Sequence, residues 1–399
     1  MFSKKTIEDL ELEGKALFLR VDFNVPLKEG EIQDETRLLL TLPTIRKAVE
    51  TRARVVLASH LGRPKGEPRP ELSLEPIAGR LGSHLEGPVR FVEDCVGDRV
   101  RERIETLEPC DVLLLENLRF HKGETQNDPE FAEQLSCWAD EYVNDAFGAA
   151  HRAHASVVGV PRRLGKGAAG LLMAREMECL SRVIHEPKRP FVALLGGAKV
   201  SDKIEVIRNL LGLVDTILIG GGMAFTFLKA RGMEVGGSIL EEDKVEVALE
   251  VIEAAAARGV DLRFPADLVI AEECREGVPT RIVKQYGIPE GWLGLDIGPE
   301  TVKSFAECLA GAGTIFWNGP MGVFEISEFA GGTLGVAREV ASSRAFSVVG
   351  GGDSVAAVQR LGVHGGISHL STGGGAALEF LAGKSLPGIE ALTDREEGG

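Results

Sequence analysis

Arg37, Arg63, Arg119 and Arg152 are the side chains in the first half of this 399-residue sequence best suited to chemistry on an anion. A guanidinium offers a planar fork of donors that matches carboxylate and phosphate oxygens. One such contact at about 4 Å is worth roughly 4 kcal/mol before desolvation at an effective dielectric of 20. Converging, they would hold a small, multiply charged anion; singly, each is also compatible with a solvated surface ion pair. Asp22, Asn24 and His60 stand in the same stretches. His151-x-x-His154 formally presents two metal ligands, but no third ligand is spaced to complete a site, so hydrogen bonding is the expected role of these histidines.

The second half carries glycines instead. In GGAKVSDK (196–203), Lys199 and Lys203 are four apart. On a helix that starts early enough, capped by Ser201 or Asp202, they share one face near its positive end and either repel, hold an anion between them or stand solvated. GGGDSVAAV (350–358) and STGGGAALEFL (371–381) are further glycine turns into helices, whose backbone N–H groups can meet phosphate, and Asp353 could hold a magnesium ion bridging phosphate oxygens. Three such loops in one domain point to a nucleotide. The familiar loops are absent: Leu378 occupies the first glycine position of a Walker A pattern ending at Gly383-Lys384-Ser385, and G-x-G-x-x-G fails at Phe225 and Val355.

Apolar β-rich runs at 17–23, 55–59, 112–115, 142–144, 191–195, 216–219, 314–317 and 347–349 alternate with helix-like segments, without a long antiparallel hairpin series. This pattern predicts α/β layers with parallel strands buried on both faces. Open α/β sheets collect ligands beyond the carboxyl ends of their strands, where Asp22, Asn24, His60, the four arginines and the glycine turns at 196–197, 220–222 and 350–352 fall. Met173, Met177, Leu180 and Ile184 lie on one helix face, and Pro187 and Pro190 stop that helix, so a connecting helix between two domains is expected at 173–190. Polar 394–399 is expected to be poorly ordered.

Composition narrows the function. Lys and Arg number 45 against 60 Asp and Glu, a net charge of −15, which disfavours a nucleic-acid binder and requires any anion site to be a local basic island. The six cysteines form no C-x-x-C pair, so neither a zinc knuckle nor a disulfide framework is supported. Residues 1–15 lack a signal-peptide apolar core and no charge-free stretch is long enough for a bilayer, so a reducing cytoplasmic setting is expected.

Together VDFNVP (21–26), ASHLGRP (58–64), LLLENLRF (113–120), NDAFGAAHRAHAS (144–156), LGGAKVSDKI (195–204), LDIGP (295–299), FWNGPMGVFE (316–325), GGGDS and STGGGA resemble phosphoglycerate kinases over nearly the whole chain. Ala149 stands where Thr is as common. The resemblance implies two doubly wound parallel-sheet, Rossmann-like α/β domains facing a cleft and joined by a hinge helix. The expected boundaries are 1–175, with 385–399 returning to it, a hinge at 176–190 and a nucleotide domain at 191–384.

It further implies that Asp22, Asn24, Arg37, His60, Arg63, Arg119 and Arg152 hold 3-phosphoglycerate or 1,3-bisphosphoglycerate. Lys203, Gly294, Glu325 and Gly351, Gly352, Asp353 and Ser354 would hold magnesium ADP or ATP, with Asp353 toward the metal. Direct in-line transfer after hinge closure would use Arg37, Lys199 and the amides of Gly373, Gly374 and Gly375 on the moving group. The implied protein is a cytoplasmic monomer with no nucleic-acid or membrane partner. A non-catalytic two-lobed anion binder and, less favoured, a nicotinamide dehydrogenase are the rival readings.

Overall fold

The computed structural model describes residues 2–85 and 87–395; the tail at 396–399 lies outside the described residues. The chain divides into two compact units, Met1–Glu178 with Ser385–Gly399, and Cys179–Lys384.

The first unit is built on β1 (Ala16–Arg20), β4 (Arg54–Ala58), β5 (Val89–Val92), β6 (Val112–Leu115), β7 (Glu141–Asn144) and β8 (Ala168–Ala169), with a small hairpin of β2 (Leu27–Lys28) and β3 (Glu31–Ile32) after the first strand. The sheet order is β5-β6-β4-β1-β7-β8, and every ladder is parallel. β1, β6 and β7 are buried along their full length, as strands covered by helices on both faces must be. Helix Thr36–Glu50 lays Leu38, Leu42 and Ile45 onto that sheet.

The second unit repeats the plan with β9 (Phe191–Leu195), β10 (Thr216–Ile219), β11 (Asp261–Arg263), β15 (Thr314–Asn318), β16 (Phe346–Gly350) and β17 (His369–Ser371) in the all-parallel order β11-β10-β9-β15-β16-β17. The doubly wound α/β class expected from sequence is thus present in both units. Chain order reverses at β1 in one sheet and at β9 in the other, and such switch points open crevices beyond the strand ends.

Three features depart from the sequence reading. An antiparallel sheet, β13-β12-β14, formed by β12 (Asp267–Ala271), β13 (Arg281–Lys284) and β14 (Leu293–Ile297), is inserted in the second unit. Its outer strand β13 is largely exposed, so it lacks the apolar run that marked the other strands. The first strand ends at Arg20 rather than Phe23, because the chain turns there and the Phe23 N–H donates to Ser59 Oγ at 2.8 Å. The linking helix runs Leu171–His185, and the division between units falls inside it, after Glu178.

The end of the chain is stitched into the first unit. Lys5 N donates to Thr393 O (2.8 Å), Gly388 N to Ala150 O (2.8 Å) and Thr393 N to Gly167 O (2.9 Å).

Candidate functional site

In the first unit, the strand exits deliver a cationic cluster. Asp22, just past β1, accepts from Arg37 NH1 at 3.0 Å and from the Asn24 N–H at 3.1 Å. Arg37 reaches it from the first turn of Thr36–Glu50. Asn24 Oδ1 accepts from the Gly62 N–H at 2.9 Å, and Arg119 NH1 donates to the Gly62 carbonyl at 2.7 Å, so the exits of β1, β4 and β6 are tied together. His60, beyond β4, lies 4.0 Å from Asp22 through Nδ1.

The electrostatics of this cluster are those of an anion trap. Burial, reinforced by Arg20 and Arg152, lowers the Arg119 pKa to about 10, and the buried Arg119 Nε has no hydrogen-bond partner among the described residues. His154 is pushed down to about 3 by burial and then by Arg119, Arg20 and Arg152. Burial also drives His60 well below the usual imidazole range, with Asp22 opposing and the arginines reinforcing, so it is neutral at pH 7. Burial opposes ionisation of Asp22, but the positive groups around it, Arg37 and Arg20 among them, hold its carboxyl below the usual range. Cations crowded until their own charge is disfavoured bind a multiply charged anion, which relieves that repulsion.

Beneath lies a layer that reading the sequence missed. Arg20 is fully buried; its Nε donates to Ser156 Oγ at 2.8 Å, and NH2 lies 3.1 Å from His60 Nδ1. Because a guanidinium can only donate, His60 must accept at Nδ1 and carry its proton on Nε2. The Ser156 hydroxyl in turn donates to Glu124 Oε1 at 2.7 Å, and Tyr142 OH donates to Ser156 O at 2.8 Å. The one sequence signal was an arginine interrupting the apolar run 17–23.

Of the expected residues, Asp22, Asn24, Arg37, His60 and Arg119 are joined directly or through Gly62, and Arg152 lies within electrostatic range of Arg119. Arg152 Nε donates to His151 Nε2 at 3.1 Å. Arg63 is exposed in the loop after β4 and makes no hydrogen bond or ion pair among the described residues.

The second unit holds a cavity of about 520 Å³ at the exits of β9, β10 and β15. Gly294, Glu325 and Asp353 line it, and Phe225, Leu268 and Leu293 give it an apolar wall. A Cβ on Gly294 would lie 2.2 Å from the Phe225 ring, so only glycine leaves that wall intact. Asp353 sits in the first turn of helix Gly352–Arg360, after Gly351 at φ +90°. Burial lowers the Lys203 pKa to about 8, against the pull of Asp202 and Asp353, and its ammonium donates to Asn318 Oδ1. Asn318 is a second residue the sequence reading overlooked.

The lysine geometry differs from expectation. The helix begins only at Ile204, leaving Lys203 as its N-cap and Lys199 in the loop before it, so the two do not share a helical face. Ser201 does not cap it; its hydroxyl and N–H both engage Glu241, at 2.6 and 3.0 Å. Ser354 Oγ is taken by the Gly319 N–H at 2.7 Å and holds the loop. Gly373, Gly374 and Gly375 lead into helix Gly375–Leu381 with Gly374 as N-cap.

Comparison with known proteins agrees with this chemistry. The model of the family "Phosphoglycerate kinase" matches residues 7–384. The phosphoglycerate kinase of Moorella thermoacetica is 56% identical over 98% of this chain and 100% of its own length, and that of Rubrobacter xylanophilus is 56% identical over 99% of each. Among solved structures, the phosphoglycerate kinase of Coxiella burnetii superposes with a TM-score of 0.87 at 42% identity, covering 97% of this chain and 98% of that one. That of Pyrococcus horikoshii gives 0.86 at 37% identity over the same shares.

Proposed function

The chain belongs to the phosphoglycerate kinase family, and from that premise we propose how its residues divide the work of phosphoryl transfer. The reaction is reversible transfer from the acyl phosphate of 1,3-bisphosphoglycerate to ADP, giving 3-phosphoglycerate and ATP. Neither a passive anion binder nor a nicotinamide dehydrogenase is favoured by these relatives.

The observation that carries the assignment is the basic cluster around Asp22. Arg63, Arg119 and Arg152 take the phosphate of the phosphoglycerate. Asp22 and Asn24 supply acceptors for its hydroxyl group, and neutral His60, with its proton fixed on Nε2, donates one hydrogen bond. In the second unit, the apolar wall at Phe225 and Gly294 suits a flat base. Lys203 and the Gly351–Ser354 turn meet the nucleotide phosphates, and Glu325 contacts its polar edge.

Asp353 fits a magnesium ion. It is a hard oxygen donor, exposed on the cavity rim and an electrostatic neighbour of Lys203, with no ion pair of its own among the described residues. When bound there, the ion neutralises charge on the nucleotide phosphates. Arg37, Lys199 and the N–H groups at Gly373, Gly374 and Gly375 stabilise the oxygens of the phosphoryl group in flight, without a covalent enzyme intermediate. Transfer requires the two substrates to be brought together by a hinge motion at the Leu171–His185 helix, which also keeps water from the acyl phosphate. We place this enzyme in the cytoplasm as a monomer; its six cysteines are all free thiols.

The test is ATP formation from 1,3-bisphosphoglycerate and ADP by purified protein, with and without magnesium. Asp353→Asn should raise the magnesium-nucleotide KM with little change in the phosphoglycerate KM. An unaltered metal dependence would remove Asp353 from this role.

A further inference from the structure

Beside the arginine cluster, but outside the residues assigned to either substrate, Asp94, Cys95 and His121 bring a carboxylate, a thiol and an imidazole together, one ligand atom from each lying within 4.8 Å of the others. Asp94 and Cys95 follow β5, and His121 follows the short turn Leu118–Phe120 after β6. They therefore converge beyond the carboxyl ends of two adjacent parallel strands, held in register by Val92 opposite Leu115.

Each ligand is held in place. His121 Nε2 lies 2.8 Å from Asp94 Oδ1, and its ring stacks on Phe131 with centroids 5.1 Å apart. The Cys95 N–H donates to the same Asp94 oxygen at 2.7 Å. Cys95 is 1% exposed, and its thiol makes no hydrogen bond among the described residues. A buried sulfur without a partner, facing a carboxylate and an imidazole, is the second sign that a ligand belongs here. Asp94 also lines a solvent-facing groove of about 680 Å³.

We propose that Asp94, Cys95 and His121 form a binding site for a divalent cation of the zinc class, distinct from the magnesium-nucleotide chemistry. Donor type decides the class: one sulfur, one nitrogen and one oxygen suit a borderline-soft ion, whereas magnesium prefers oxygen donors alone. Tetrahedral zinc places its donors roughly 3.3 to 3.6 Å apart, so the His121–Asp94 pair, now 2.8 Å apart, would open by about half an ångström while the widest pair, at most 4.8 Å, would close by about an ångström, with a fourth position left to water. The ion would clamp the exit of β5 to the segment carrying Arg119, two residues before His121. It would stabilise the first unit without entering the reaction.

The experiment is titration of the metal-stripped full-length protein with cobalt(II) alone, read by the thiolate-to-cobalt absorption band and the visible bands of tetrahedral cobalt. Cys110, Cys137 and Cys274 are exposed, so a variant with all three changed to Ser serves as the reference. It should bind one equivalent with both signatures. Cys95→Ala should abolish the sulfur band, and His121→Asn should weaken binding by at least about tenfold. Zinc should raise the melting temperature of the reference and not that of Cys95→Ala. Persistence of the sulfur band in Cys95→Ala, its absence from the reference, or wild-type affinity in His121→Asn would overturn the proposal. His121 is partly exposed, so its variant carries the test even if Cys95→Ala folds poorly.

Discussion

Arg37 and Asp22 show how a single contact can serve two states. Their 3.0 Å ion pair is partly exposed and so contributes little to stability. In the mechanism proposed above, it holds a guanidinium ready at the anion site until substrate arrives. Arg37→Ala should therefore lower kcat by about 100-fold or more while leaving the nucleotide KM within about threefold; steady-state kinetics with both substrates varied would check this, and near-normal turnover would take Arg37 out of the transfer step. Lys203 gives a pH signature. Its pKa of about 8 lies below the ordinary 10.5, so the folded protein sheds a proton that the unfolded chain keeps. Stability from this group accordingly rises between about pH 8 and 10.5, whereas attraction for nucleotide phosphate falls as pH passes 8. Binding of nucleotide measured by calorimetry across pH 7 to 9.5 should weaken in the wild type and stay flat in Lys203→Met. The arginines and glycine turns were legible because each follows a strand in the sequence. Arg20 was not, because its partner Ser156 is 136 residues away and only the fold makes them neighbours.

The alternation of buried strand and helix announced itself wherever the strand was apolar throughout, as in FVALL of β9. It fell silent for the two-residue β8 and for the exposed β13, whose side chains face water and so carry no hydrophobic pattern. That antiparallel insertion nevertheless matters, because β14 carries Gly294 into the cavity wall. Gly294→Ala would press a methyl group into the Phe225 ring, which is 3% exposed and cannot retreat far. Overpacking of this kind costs about 1–3 kcal/mol. The expected result is a nucleotide KM raised at least about tenfold with the phosphoglycerate KM unchanged. A parallel loss of affinity for both substrates would instead mean general unfolding. The start of helix Ile204–Leu210 teaches the converse: Ser201 looked like a cap, but Glu241, 40 residues on, offers a better acceptor.

Each unit has its own buried core and sheet, so the molecule should unfold as two cooperating bodies rather than one. Ending the chain at Lys384 deletes buried Leu386 and Leu392, the backbone bonds of Gly388 and Thr393, and the ion pair between Arg395 and Asp9. Scanning calorimetry should then show the transition of the first unit lowered by several degrees, about 4–8 °C for each kcal/mol lost in a 60–100-residue domain and less in a larger one. The transition of the second unit should stay in place, and an unmoved first transition would show that the tail is decorative. The stitching of that tail also inverts the calendar of biosynthesis. The half made first on the ribosome is the half that must wait, since its finishing strip emerges only after the whole of its younger neighbour has been translated, and a message cut short just after Lys384 therefore leaves a completed second unit beside an unfinished first one.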